Sequence, residues 1–272
     1  MNEILKRSLV SIWKILIGCF LVYLTVGLLT IKSVYNLWLG LGLLFLFTLP
    51  TIFVVYFKKG FVAKHPSFSK IWKFLRILYV FFIILFVAIF AGGYYLQYEK
   101  IKTQQTIDFI NSVKITMDDV VGKNLPPEPD QKLNDSTISG IDANHNYIRD
   151  DVELAIFKKY PDSAKIRAAE LQYAQALQLE LTQVFNSDTL VAAIQKGGLA
   201  YMCLSGISKD DKSSIIKEMF DMSDQRIGEV DDFVLNTNLR KEKNSDIYKK
   251  YMTGYGSKKG PYCDIDITTL PN

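Results

Sequence analysis

The sequence predicts an all-α protein: three transmembrane helices followed by a small soluble helical bundle with an extended C-terminal tail. Three observations carry that expectation. Three apolar runs of bilayer length fall within the first 96 of 272 residues. Beyond them, apolar positions recur at spacings of three and four, the period of one helix face. Charge divides at the same place: residues 1–96 hold ten Lys and Arg against one acid, Glu3, a net of +9, and the remainder holds 22 against 27, a net of −5.

The clearest run is residues 77–96, ILYVFFIILFVAIFAGGYYL, twenty positions without a charge. At 1.5 Å rise per residue this is about the 30 Å of a bilayer's hydrocarbon core. Residues 9–31 contain one charge, Lys14, near enough the end for its ammonium to reach the headgroups. Residues 34–57 contain none, with Trp38 and Tyr56 as interfacial anchors and Pro50 as a kink that neighbouring helices absorb. Lys6 and Arg7 ahead of the first run would also suit a signal peptide, but no small-x-small cleavage site follows and the run is long for that role.

Orientation follows from the cations. Residues 58–76 carry Lys58, Lys59, Lys64, Lys70, Lys73 and Arg76 with no acid, whereas the link between the first two runs offers only Lys32. The positive-inside bias places this loop and the amino terminus in the cytoplasm, so three spans deliver the rest to the other side. That implies a multi-pass protein of a cell inner membrane with a periplasmic or extracellular C-terminal domain. The cations flank membrane spans and the soluble part is acidic, so the expected partners are the lipid bilayer and a protein in the membrane or periplasm, and no nucleic acid.

Four segments are expected: residues 1–96 as the three-span domain, 97–123 as a helical stalk, 124–132 as a proline-rich hinge, and 133–272 as the outer domain. The stalk keeps a helical rhythm through Ile107, Ile110, Met117 and Val121. LPPEPD at 125–130 cannot continue it, because prolines lack the donor and disfavour helical geometry in the residue before. KLNDSTISGI, 132–141, reads as coil. Residues 151–159 form a short helix. Asp162 or Ser163 caps the next, whose stripe is Ile166, Ala169, Tyr173, Leu177, Leu181 and Val184. Ser187 opens another, to about Leu204, with Gly197 and Gly198 as a weak point or a close contact. Ser208 and Asp211 resemble a capping box for a helix continuing to Phe233, and a short helix at 247–252 precedes a glycine-rich, extended tail.

Cys19 lies in the first span, and Cys203 and Cys263 fall in the part expected outside, where disulfides persist. Pairing them would tie the tail to a helix and stabilise the fold by roughly 3 to 4 kcal/mol. Two unrelated thiols are the alternative.

One motif carries chemistry. Residues 142–153, DANHNYIRDDVE, place oxygen-bearing side chains at positions one, three, five, nine and twelve of a twelve-residue loop. Calcium takes six to eight oxygens at 2.3 to 2.6 Å, and alternate positions in a turn aim them at one centre. Asp142, Asn144 and Asn146 would give side-chain oxygens, Ile148 a backbone carbonyl, Asp150 a direct or water-borne ligand, and Glu153 both carboxylate oxygens. This resembles the calcium loop of the EF-hand and, in its Asx-rich style, dockerin-type loops of secreted bacterial proteins. The resemblance implies Ca2+ held at roughly 0.1 to 1 mM, as in extracellular modules. Tyr147 stands where that loop carries a glycine, and Ile148 is one place before its usual apolar residue. The alternative is an Asx-rich turn in which Asp150 and Asp151 cap a helix.

Other chemistry has little support. The two histidines are His65, in the cytoplasmic loop, and His145, inside the Asx-rich loop, so neither a Ser-His-Asp site nor zinc is well supplied. No glycine-rich phosphate loop is present, and the spans contain no acid that would mark an ion path. The expectation is a membrane-anchored, extracytoplasmic calcium-binding domain acting as a protein-interaction, assembly or immunity-type factor. The alternative is an envelope sensor or a carboxylate-based hydrolase of envelope polymers, which two opposed carboxyl groups in a deep acidic cleft would favour.

Overall fold

The computed structural model describes residues 66–210 and 216–271, together with position 42. The expected spans at 9–31 and 34–57, with Lys14, Cys19, Trp38, Pro50 and Tyr56, lie outside the described residues, as do Lys58, Lys59, Lys64 and His65. Among the described residues the protein is all-helical, with eight α-helices, one 3-10 turn and no strand. It divides into two compact units, Met1–Tyr98 and Glu99–Asn272.

Helix α1, Pro66–Ser112, contains the whole uncharged run 77–96. Proline suits its first turn, where an N–H would have no partner anyway. The basic segment expected as a loop up to Arg76 is therefore helical from Pro66 onward. Ile77, Ile84 and Leu96 are exposed at 69%, 62% and 64%. In the second unit α1 acquires a buried side: Ile110 is fully buried, Asn186 Nδ2 donates to Thr103 Oγ1 at 2.7 Å, and the Lys102 ammonium stands 4.5 Å over the Phe185 ring.

The expected continuous helix over 97–122 is broken at Ser112. Helix α2, Met117–Val121, starts separately because Thr116 and Asp119 form a reciprocal capping box, the Thr116 N–H donating to Asp119 Oδ2 at 2.7 Å. It ends at Gly122, whose φ of 76° and close approach to the Phe157 ring both require glycine. Helix α3, Gln131–Asp135, is capped by Asp130 and occupies part of the segment expected as coil. Helix α4, Asp150–Lys159, has three acids in its first turn and two lysines in its last, matching the helix dipole at both ends.

Helix α5, Ala164–Gln183, is the centre of the second unit. Ser163 caps it, its hydroxyl accepting from the Ile166 N–H at 3.2 Å. It packs against α4 and against α6, Ser187–Asp210, α7, Ile216–Val234, and α8, Asn238–Tyr251. Burial therefore runs beyond the expected stripe: Ala169, Leu177, Leu181 and Val184 are buried as foreseen, but so are Leu171, Ala174, Leu179, Glu170 and Gln175. Each fully buried aliphatic chain contributes about 1.5 to 3 kcal/mol.

Ser187–Ile207 within α6 is long and apolar enough to cross a membrane by length and composition alone. Half of that window is buried, Lys196 donates from within it to the Val113 carbonyl, and Cys203 is bonded to the tail, so it is a core helix. Helix α6 runs through Gly197 and Gly198 without a break and past Ser208, which is therefore not an N-cap; Asp211 lies outside the described residues. Helix α8 begins about ten residues before the expected 247, at Thr237, whose hydroxyl accepts from the Arg240 N–H at 3.3 Å. The tail is pinned along α5: Gln172 donates to the Tyr262 carbonyl at 2.8 Å and accepts from the Asp264 N–H at 2.9 Å, and Leu270 is buried in the main core.

Candidate metal centre

The Asx-rich loop is built as a tight coil entering α4. Asp142 accepts from the Asn146 N–H at 3.2 Å and the Tyr147 N–H at 3.0 Å, so its two oxygens are wrapped by the loop's middle. Asn146 Oδ1 accepts from the Ile148 N–H at 2.9 Å. Asp150 Oδ1 accepts from the Ala143 N–H at 2.9 Å, and the Asp150 N–H donates to the Ile141 carbonyl at 2.9 Å, which closes the loop. Asp150 is thus a strut across the loop's mouth, and Asp151 is taken by Arg149 and Asn236; neither makes a capping hydrogen bond to α4, whose N-cap is Arg149, but both stand in its first turn, where their charge favours the positive end of the helix.

Tyr147 takes the left-handed conformation that the sixth loop position demands, at φ 64°, and His145 does so at φ 60°. A β-carbon makes that geometry costly, so something must hold it. The Tyr147 N–H is fixed on Asp142, and its ring meets Phe109 of α1 edge-on, with centroids 5.2 Å apart. Ile148 is fully buried in the main core, so the one-place shift of the apolar residue anchors the loop.

Glu153 is the deepest member. It is fully buried; its Oε2 accepts from Asn144 Nδ2 at 2.9 Å and Asn146 Nδ2 at 3.1 Å, while its Oε1 has no hydrogen-bond partner. Burial raises its pKa to about 7, against the lowering effect of those two amides, and Asp119 and Asp150 add repulsion. Burial likewise raises the pKa of Asp142 and Asp150 from the ordinary aspartate value, against the lowering effect of the backbone N–H groups on them. The two asparagines converge on Glu153, and a half-turn of either amide would present its oxygen in place of its NH2.

Sequence reasoning missed the supports. Arg149, fully buried, donates to the Val234 carbonyl at 3.0 Å and the Phe233 carbonyl at 2.7 Å, so it faces the C-terminal end of α7 and not the loop's interior. Gly140, at φ 64°, passes so close to Arg149 and Asn134 that a β-carbon would collide with both. Arg240 of α8, also fully buried, holds the approach to the loop through Asp135 Oδ1 at 3.1 Å and the Thr137 and Ile138 carbonyls at 3.0 and 3.3 Å. From α5, Gln175 donates to the Asn146 carbonyl at 2.9 Å and Gln178 to the Ser139 carbonyl at 2.9 Å. A lone arginine inside an acidic loop was a usable signal for Arg149; nothing local marked the others.

Comparison with known proteins returned no family, no curated protein and no solved structure that matches this chain. Among the described residues no group of three His, Cys, Asp or Glu side chains is arranged to hold a metal ion. Any cation in the loop would therefore need the amide oxygens of Asn144 and Asn146 and the Ile148 carbonyl beside Asp142 and Glu153, the mixed oxygen set that suits calcium better than zinc.

Cys203 and Cys263 are joined, with Cα atoms 5.0 Å apart and a sequence separation of 60. A second acidic feature lies elsewhere in the same unit: a cleft among α5, α6, α7 and α8 that holds Glu180, Asp224 and Asp231.

Proposed function

We propose that this chain is a membrane-anchored interaction factor whose outward-facing helical unit is stiffened by calcium in the 142–153 loop. The single observation that supports it most is Glu153: an ionisable side chain in the core, one oxygen unpartnered, the other held by the amide NH2 groups of Asn144 and Asn146. Such a group is costly unless a proton or a cation neutralises it. Calcium would do so at the pH where Glu153 ionises, with Asp142 as the second carboxylate, Asn144, Asn146 and Ile148 as neutral ligands and Asp150 completing the set directly or through water.

Anchoring by three spans, with the amino terminus cytoplasmic and the second unit in the periplasm, rests on the charge asymmetry and on the exposed apolar side chains along 74–101 of α1. The disulfide suits that oxidising side. An assembly, accessory or immunity-type role among membrane or periplasmic proteins is the reading proposed for that unit. Recovery of this chain alone from crosslinked membranes would contradict it.

The test is thermal melting of the full-length protein in detergent, with calcium or chelator, oxidised or reduced. At 1 mM calcium the gain is expected to be about 0.4 to 1.4 kcal/mol, a rise of up to a few degrees. Equal melting temperatures in all four conditions would remove both metal and disulfide from the account.

The second reading, a carboxylate-based hydrolase of envelope polymers, draws on the cleft, where burial raises the Glu180 pKa to about 7, a value suited to a general acid. Release of reducing ends from purified cell-wall polymer, lost in Glu180→Gln, would favour it.

A further inference from the structure

The cleft has a cavity of about 500 Å3, the size of a small-molecule site. Its lining includes three tyrosine–carboxylate pairs. Tyr173 donates to Asp231 at 3.1 Å, Tyr201 to Asp224 at 3.0 Å, and Tyr248 to Glu180 at 3.4 Å. Asp224 is exposed, Asp231 is half-buried and Glu180 is only 5% exposed, so carboxyl groups run from rim to base. No lysine or arginine is among the described residues that line it. At the base, Glu180 Oε1 is buried without a hydrogen-bond partner. Leu177, Ile194 and Ile227 supply an apolar wall.

Glycines also line the cleft. A β-carbon added at Gly198 of α6 or Gly228 of α7 would meet nothing within 4 Å, so both positions face open space. Glycine inside a helix costs about 1 kcal/mol relative to alanine, and both helices carry that cost where the cleft lies.

We infer that this cleft binds an alkylammonium group, seating its charge between Glu180 and Asp231 and its methylenes along Leu177, Ile194 and Ile227. The tyrosines hold the carboxylates in place by their hydroxyls. Two of an ammonium's three donors can be taken by the carboxyl groups of Glu180 and Asp231, and the third is left to solvent in the open cleft. The ammonium is carried either by a free aliphatic amine or by a lysine side chain of a protein partner. This inference does not depend on the calcium loop, and it makes the cleft a binding site, in contrast to the hydrolase reading.

The test is calorimetric titration of the full-length protein in detergent with cadaverine, N-acetyl-lysine methylamide and pentanol. Cadaverine is expected to bind saturably and pentanol not at all. Binding of the lysine amide as well assigns the site to a protein's lysine; binding of cadaverine alone assigns it to a free amine. Glu180→Gln keeps the shape and removes the charge, so it is expected to weaken amine binding at least about tenfold while melting no lower than wild type. Gly198→Leu fills the space without touching a carboxylate and is expected to abolish binding, which covers the case in which the first variant misfolds. No saturable binding of either amine, equal binding by Glu180→Gln, or equal binding of pentanol would overturn the inference.

Discussion

Glu153, Arg149 and Gly140 together decide whether the loop keeps its shape. Glu153→Gln removes the buried charge and keeps the volume, so the protein without calcium is expected to melt at or above wild type, while calcium no longer raises its melting temperature. A calcium response retained in full would show that the ion binds elsewhere. Arg149→Ala strands two carbonyls at the end of α7 and frees Asp151, a loss expected at about 3 kcal/mol by denaturant titration. The oxygen-bearing positions of the loop were legible in sequence because they lie within one twelve-residue stretch and their spacing is their chemistry. Arg240 was not, because its contacts at Thr137 and Ile138 lie 103 and 102 positions upstream and one helix's sequence does not reveal what its side chains reach. Tyr147 read as an obstacle to the sixth position; the structure places Phe109 beside its ring, a contact 38 positions away that no local pattern records.

At the scale of elements, legibility followed the apolar period. Helix α5 and the start of α6 carry clear stripes and lie where the spacing put them. Helix α8, NLRKEKNSDIYKKY, is so polar that only its end was seen; it is held by the Thr237 cap and by the buried Arg240 and Ile247. Thr237→Ala is accordingly expected to cost about 1 kcal/mol, measured by denaturant unfolding. The break after Ser112 was hidden for the opposite reason: apolar spacing continued across it, and the capping pair Thr116 and Asp119 was the signal that decided the outcome. The disulfide links α6 to the tail, and Cys203→Ser is expected to lower stability by about 3 to 4 kcal/mol on the loop-entropy account, with the tail near Asp264 losing amide protection first. Unchanged protection around Asp264 would mean that Gln172 and Leu270 hold the tail unaided.

At the scale of the whole molecule, the second unit buries the carboxyl groups of Glu153, Glu170 and Glu180. Burial raises Glu170 to about 8 and Glu180 to about 7. In the unfolded chain these carboxyls ionise near 4.5, so between that value and 7 to 8 the folded state holds protons that the unfolded state has released. Unfolding then releases protons, and stability falls as pH rises through that window. The melting temperature is expected to decline from about pH 5 to pH 8, and Glu170→Gln to flatten the curve. A curve that rises over the same range would contradict the burial of these groups in uncharged form. Calcium and an amine ligand would each offset part of the decline at the upper end, the first at Glu153 and the second at Glu180.

The proposed partition of the chain would give these sites their setting, since calcium at millimolar concentration, a lasting disulfide and an envelope partner would all belong to the outer side of a membrane. It is tested most directly by fusing alkaline phosphatase, and separately a green fluorescent protein, after Asn272 and expressing both in a bacterial host. An active phosphatase and a dark fluorescent protein are the expected pair. A fluorescent fusion with an inactive phosphatase would place the second unit in the cytosol and contradict the account.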